Sequence, residues 1–475
     1  MTKQILTPDV CVIGAGAGGL SVAAAAAAFG VPVVLVEQSR MGGEHLNYGC
    51  VPSKALLAAA KRVASLKEFS KFGLTAEGTV DFAKVRAHMR QVIAALAPTD
   101  AAERFTGLGV RVIAGTAQFI DRATVSVGDD IEIKARRFVI ATGSSPATPL
   151  VQGLDTVDYL TNETIFDLTE LPEHLIVIGA GGVGLELAQA FCRFGSAVSV
   201  IETLVPLNDE EPECTDAVVA SLAKDGVAIH AGANIKQVAR SEGGTAVTFE
   251  VAGRTQTISG SHLLITAGRR PNVDALDLKA ARIKVDANGI RVNRKLKTSN
   301  RRVYAIGDVA GGPRLTHFAN YQASQVIRNA LFRLPVKIDH SIIPRVTFTD
   351  PEIAQVGLTE AAARKKFRTL RIVRSSYHDS DRAQAERAAH GQIKVITDKR
   401  GKILGVTIVG AQAGELISVW TLAIGQGLNI RAMADLIVPY PTLSDISKRA
   451  ALSYFAPDVL SPMLRRIIAW LRKLG

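Results

Sequence analysis

At 475 residues the chain is too long for one hydrophobic core, which rarely grows past roughly 250 residues, so about three or four domains are expected. Apolar residues make up 47% and charged residues 21%, the balance of an ordinary soluble globular protein. Aromatics at 5% argue against a surface that reads nucleic acid by stacking, and the net charge of +12 is spread along the chain, so no nucleic-acid partner is expected.

The first element is the β-branched run Asp9-Val-Cys-Val-Ile13, which feeds Gly14-Ala-Gly16-Ala-Gly-Gly19, an alanine-rich helix through Ala28, and a strand from Val31 to Val36 ending in Glu37. This is a G-x-G-x-x-G fingerprint in its strand–turn–helix context. Gly14 makes the tight turn, Gly16 lets a pyrophosphate approach the backbone, and Gly19 permits close helix–strand packing. The helix N-terminus offers unsatisfied N–H groups to phosphates, and Glu37 can accept hydrogen bonds from ribose hydroxyls. No charge lies between Val10 and Val36, as in a membrane span, but the glycine punctuation fits a buried strand, turn and helix instead.

The unit recurs. Leu175-Ile-Val-Ile178 leads into Gly179-Ala-Gly181-Gly-Val-Gly184, a helix through Phe194, and a strand from Ala197 to Ile201 ending in Glu202. Two fingerprints imply two dinucleotides. Glu202 would repel a 2′-phosphate, and no arginine lies between Thr203 and Asn208 to accept one, so NADH is expected and NADPH is less favoured.

The four cysteines, Cys11, Cys50, Cys192 and Cys214, are too few and scattered for a secreted disulfide framework, so a reducing, cytoplasmic location is expected. Cys11 and Cys192 sit in apolar runs and read as core residues.

Between the fingerprints stands Gly42-Gly43-Glu-His45-Leu-Asn-Tyr-Gly-Cys50-Val-Pro-Ser-Lys54. It resembles the active-site segment of the pyridine nucleotide–disulfide oxidoreductases, which include dihydrolipoamide dehydrogenase, glutathione reductase and mercuric reductase. Ala141-Thr142-Gly143, Gly268-Arg269-Arg-Pro-Asn272, Tyr304-Ala-Ile-Gly307-Asp308 and the stretch from Phe348 to Gly357 resemble further signatures of that family, in its order. The resemblance implies an α/β fold with two Rossmann-like dinucleotide-binding domains plus a C-terminal α+β dimerisation domain. It places an FAD-binding domain at 1–149, an NAD-binding domain at 150–271, a central part completing the FAD domain at 272–340, and an interface domain at 341–475. It also implies bound FAD, a homodimer, and cofactor contacts from Lys54, Asp308 on the flavin ribityl chain, and His317. Cys50 would lie over the flavin, with Lys54 and its ion-pair partner Glu186 nearby.

The sequence departs from the family at two points. The first position of the family's C-x-x-x-x-C segment is His45, leaving Cys50 alone, and one cysteine cannot close a dithiol–disulfide cycle. The family's His-Pro-Thr-x-x-Glu stretch reads Tyr440-Pro-Thr-Leu-Ser-Asp445, and tyrosine, with an ordinary pKa near ~10, is a poor base at neutral pH. Three readings of His45 and Cys50 stay open: packing residues in a vacated site, a Cys–His pair with a stabilised thiolate, or soft ligands joined by Tyr440 of the partner subunit. No metal site is assigned.

The reading is therefore an FAD-dependent oxidoreductase that passes hydride from NADH to FAD and on to a small-molecule electron acceptor, directly or through Cys50. Alternatives are a disulfide or metal-ion reductase, a pyridine nucleotide transhydrogenase, and a flavin-based redox sensor. Leu464, Ile467, Ile468 and Leu471 recur at helical spacing beside Arg465, Arg466, Arg472 and Lys473. This basic amphipathic tail is expected either to pack on its own interface domain or to touch an anionic membrane.

Overall fold

The computed structural model describes residues 3–459 and 462–474. Its first sheet has five parallel strands in the order Val303–Ala305, Arg137–Ile140, Val10–Ile13, Val33–Glu37 and Val110–Ala114. All four residues of Val10–Ile13 are buried, as a central parallel strand covered on both faces requires. The next strand begins at Val33 rather than Val31, because Pro32 brings no N–H to the ladder. Helix Ala17–Ala28 packs against helix Thr316–Ala330, its small side chains letting the two approach closely. The charge-free run is thus strand, turn, helix and strand. Among the described residues no helix is long and apolar enough to cross a membrane.

The second fingerprint opens a separate parallel sheet ordered Ala228–Ala231, Ala197–Glu202, His174–Ile178 and His262–Ile265. An antiparallel meander from Asn234 to Gly260 is inserted before its last strand. The chain then returns: Val303–Ala305 pairs with Arg137–Ile140, so a late segment finishes the first sheet.

The C-terminal part is an antiparallel five-stranded sheet ordered Arg345–Thr347, Glu352–Gly357, Ile403–Gly410, Gln392–Asp398 and Leu370–Ser376. Helices Ala413–Gly425 and Asp445–Ser453 cover it around the buried Trp420, whose indole N–H donates to Ser447 Oγ at 3.0 Å. This is a mixed α/β architecture with parallel dinucleotide-binding sheets and an α+β C-terminal domain.

Buried charge joins the second sheet's domain to the C-terminal one. The Lys394 ammonium, on a side chain 4% exposed, lies 2.7 Å from Glu211, 2.5 Å from Glu213 and 2.7 Å from Glu360. Three convergent carboxylates are a cation site by chemistry, and here the cation is Lys394 itself. Arg193 similarly pairs with Asp225 at 2.8 Å and Asp350 at 3.0 Å.

Candidate active site

The two glycine turns have the same geometry. Gly14 and Gly179 hold φ of +102° and +111°, open to glycine and disfavoured for other residues. A Cβ on Gly19 or Gly184 would strike the carbonyl oxygen of Gly14 or Gly179, so both helices start pressed against their strands. In front of Gly16 and Gly181 nothing lies within 4 Å. There the missing side chain leaves a cradle at a helix N-terminus, which fits a dinucleotide pyrophosphate. Glu37 accepts from the Ala15 N–H at 2.6 Å and the Ser39 N–H at 2.8 Å. Glu202 repeats this with Ala180 at 2.7 Å and Leu204 at 2.8 Å. The internal repeat thus extends to the hydrogen bonds that fix each acid. A cavity of about 290 Å³ opens beside Gly14, Glu37, Thr116, Thr142 and Asn272.

Segments distant in sequence close around the first turn. Gly43, at φ +59°, rests against Gly16, where a Cβ would meet the Gly16 Cα at 2.7 Å. Thr142 Oγ1 donates to the Asn272 carbonyl at 2.7 Å, and the Asn272 N–H donates to the Gly143 carbonyl at 3.0 Å. Gly268 and Gly307 sit at φ of +132° and +68°, and the Gly307 N–H donates to Gln322 Oε1 at 2.6 Å. Asp308 accepts from Ser144 Oγ at 2.6 Å, and His317 Nε2 lies 2.7 Å from the Pro344 carbonyl.

Cys50 opens helix Cys50–Leu66 and is exposed, with its Sγ 3.4 Å from Thr316 Oγ1. One turn on, Lys54 Nζ donates to Glu186 Oε2 at 2.8 Å and lies 4.5 Å above the Phe348 ring. Glu186 is buried, and its other oxygen accepts from the Phe348 N–H at 2.8 Å. A single carboxylate therefore ties together the Cys50 helix, the second fingerprint helix and the start of the C-terminal domain.

His45 and Cys50 are given different partners. His45 Nε2 lies 3.1 Å from Asp100 Oδ2, and its Nδ1 is buried with no hydrogen-bond partner among the described residues. Helix Gly43–Asn47 ends before Cys50, so the two side chains do not share a helical face, and the Cys–His contact of one of the three open readings is not formed. Tyr440, 74% exposed, donates its hydroxyl to Asp381 at 2.6 Å, and that acceptor raises the hydroxyl's pKa, keeping it a donor. Asp445 does not orient Tyr440. It is drawn one turn along its own helix into an ion pair with Arg449.

The sequence reading passed over Glu44. This carboxylate pairs with Arg269 and accepts from Asn162 Nδ2 at 3.1 Å. Arg269 also donates to the Ser144 carbonyl at 2.7 Å and to Ser144 Oγ at 2.8 Å. Burial pushes the Glu44 carboxyl up to about 7, against the partial offset of Arg269. The signal available was a lone acid between the Gly42–Gly43 turn and His45. Asp100, Thr316 and Asp381 carried no local signal, because only the fold brings them to their partners.

The remaining thiols stand elsewhere. Cys11 and Cys214 are buried, burial pushing Cys214 up to about 12, while Cys192 is half-buried against the Asp225 carbonyl rather than fully in the core. Residues 8–323 match the model of the pyridine nucleotide-disulphide oxidoreductases.

This chain belongs to that family. Residues 343–451 match the family's dimerisation domain, which makes the protein a homodimer-forming member. It is 36% identical over 463 residues to a mercuric reductase of Streptomyces lividans, spanning 95% of this chain and 97% of that protein. It is 37% identical over 456 residues to the dihydrolipoyl dehydrogenase of Bacillus subtilis (strain 168), spanning 93% and 95%. Among solved structures, the Cu(II) complex of the HOCl-induced flavoprotein disulfide reductase RclA from Escherichia coli superimposes with a TM-score of 0.84. That match is at 25% identity and covers 95% of this chain and 100% of that one. The protein is accordingly an FAD-dependent pyridine nucleotide oxidoreductase, in a family whose members use FAD and NAD(P)H.

Proposed function

We propose that this flavoprotein passes electrons from NADH through FAD to a small-molecule acceptor without a dithiol relay, the first cysteine of the family's pair being replaced by His45. The carrying observation is Cys50: an exposed thiol at the head of its helix, with each of the other three cysteines on a different element. Bound FAD would supply two-electron redox chemistry, taking hydride from the nicotinamide and releasing electrons to the acceptor. Gly14, Gly16, Gly19, Glu37, Gly43, Thr142, Gly143, Arg269, Gly307, Asp308 and His317 would hold it. Gly179, Gly181, Gly184, Glu202 and Gly268 would serve the nicotinamide nucleotide, with Glu202 disfavouring a 2′-phosphate. Lys54 and Glu186 would fix a positive charge beside the flavin, Tyr440 would donate a hydrogen bond near the acceptor, and the protein would work in the cytoplasm.

Anaerobic titration of the purified holoenzyme tests this. Uptake of two electrons per FAD is expected, unchanged in Cys50→Ser; four electrons per FAD would require a second redox centre and sink the proposal. NADH should bind more tightly than NADPH in the same preparation.

A second reading makes the acceptor a soft metal ion. It is favoured by the exposed Cys50 thiol together with mercuric reductases at 35% identity and the Cu(II) complex of RclA. NADH oxidation dependent on Hg²⁺ or Cu²⁺ and lost in Cys50→Ser would establish it.

A further inference from the structure

The last described helix, Pro462–Leu471, touches the other described residues only weakly and has no fully buried residue, Leu464 being half-buried. Met463, Ile467, Ile468, Trp470 and Leu471 are all exposed large apolar side chains. At 100° per residue they fall on one side of the helix, while Arg465, Arg466, Arg472 and, in the turn that follows, Lys473 fall on the other. From Ser461 to the end the sequence holds no acid. Trp470 sits at the border of the two faces, flanked around the helix by Arg466 and Lys473, the place an amphipathic ring occupies at a lipid–water boundary.

Three observations select the occupant of this apolar face. The helix is ten residues long, about 15 Å at 1.5 Å per residue, half of a hydrocarbon core of ~30 Å, so it cannot span and would lie in the plane of the surface. The match to the family's dimerisation domain ends at residue 451, before the helix begins, so the helix lies outside the matched segment. The whole chain bears a net charge of +12 and every charged side chain of the helix is basic, which an anionic lipid surface complements.

We infer that helix Pro462–Leu471 docks the protein on the surface of an anionic bilayer, apolar face in the acyl boundary and basic face among the headgroups. The inference does not depend on which acceptor the flavin serves.

Co-sedimentation of the FAD-loaded protein with vesicles tests it. Binding to phosphatidylglycerol–phosphatidylcholine vesicles is expected to exceed binding to pure phosphatidylcholine at least ~10-fold and to fall as salt is raised. Trp470 emission should shift to the blue on the anionic vesicles, an effect absent in Trp470→Phe. Ile467→Glu with Leu471→Glu, and separately deletion of residues 462–475, should abolish binding while the particle keeps its dimer mass and its FAD. Equal binding to both vesicle types, or binding that survives the deletion, would overturn the inference. So would dissociation of the dimer on deletion, which would make the helix a subunit contact.

Discussion

The contact between Lys54 and Glu186 offers the most direct test of how the candidate site is held. In Glu186→Gln the amide oxygen can still accept from the Phe348 N–H, but the amide nitrogen then faces the Lys54 ammonium, two donors opposed. The loss is one charge-assisted hydrogen bond, worth about 1.5–3 kcal/mol. The Lys54 side chain is 36% exposed and can rehydrate, which places the cost at the low end, about 1.5 kcal/mol. Lys54→Met leaves the buried Glu186 carboxylate, 6% exposed, without its cation and should cost more, about 3 kcal/mol. The double variant should cost less than the sum, with a coupling of about 1.5 kcal/mol. Urea unfolding, followed by the emission of released FAD, supplies the stability cycle. Stopped-flow reduction by NADH supplies the functional one, in which the two single variants slow the reaction non-additively. A coupling below about 0.5 kcal/mol in both cycles would refute the claim that this pair acts as a unit.

Three further outcomes are expected. Glu44 has its carboxyl raised from 4.5 to about 7 in the folded protein, so between those values the folded state binds more protons than the unfolded one. The contribution of Glu44 to apoprotein stability should be full below about pH 4.5 and be lost as pH rises to about 7, read as the difference between wild type and Glu44→Gln in a pH series of melting temperatures. Lys394→Met leaves three carboxylates facing one another, of which Glu213 keeps Arg374 at 2.8 Å, and should destabilise by about 3 kcal/mol in urea. Adding Glu211→Gln should recover part of that loss, and a single-variant cost within about 0.5 kcal/mol of zero would contradict a buried charge cluster that joins the two domains. Finally, Gly181→Ala should raise the KM for the nicotinamide nucleotide roughly tenfold, equivalent to about 1.4 kcal/mol, with FAD content unchanged. Gly16→Ala should instead lower FAD content on purification.

How much of this was legible beforehand depends on the distance over which each signal acts. The two fingerprints, their acids Glu37 and Glu202, and the strand–turn–helix character of the charge-free run are local: glycine's freedom at Gly14 and Gly179, and the period of the apolar residues, act within a few positions. Lys54 sits one helical turn after Cys50 for the same reason. These features needed no partner. The amphipathic period of the tail was likewise written in its own residues, and so was the absence of a cysteine at position 45.

The tertiary structure decided who meets whom. His45 turns to Asp100 and Cys50 to Thr316, so proximity in sequence did not become contact. Tyr440 is held by Asp381 rather than Asp445, whose carboxylate pairs with Arg449 one turn along helix Asp445–Ser453. Glu44 gained a raised pKa only when the fold buried it beside Arg269, and Lys394 became a bolt only when two domains brought three acids around it. A sequence fixes what each residue is able to do through its immediate neighbours. Burial and opposing charge come from segments far apart in the chain, and those are set by packing.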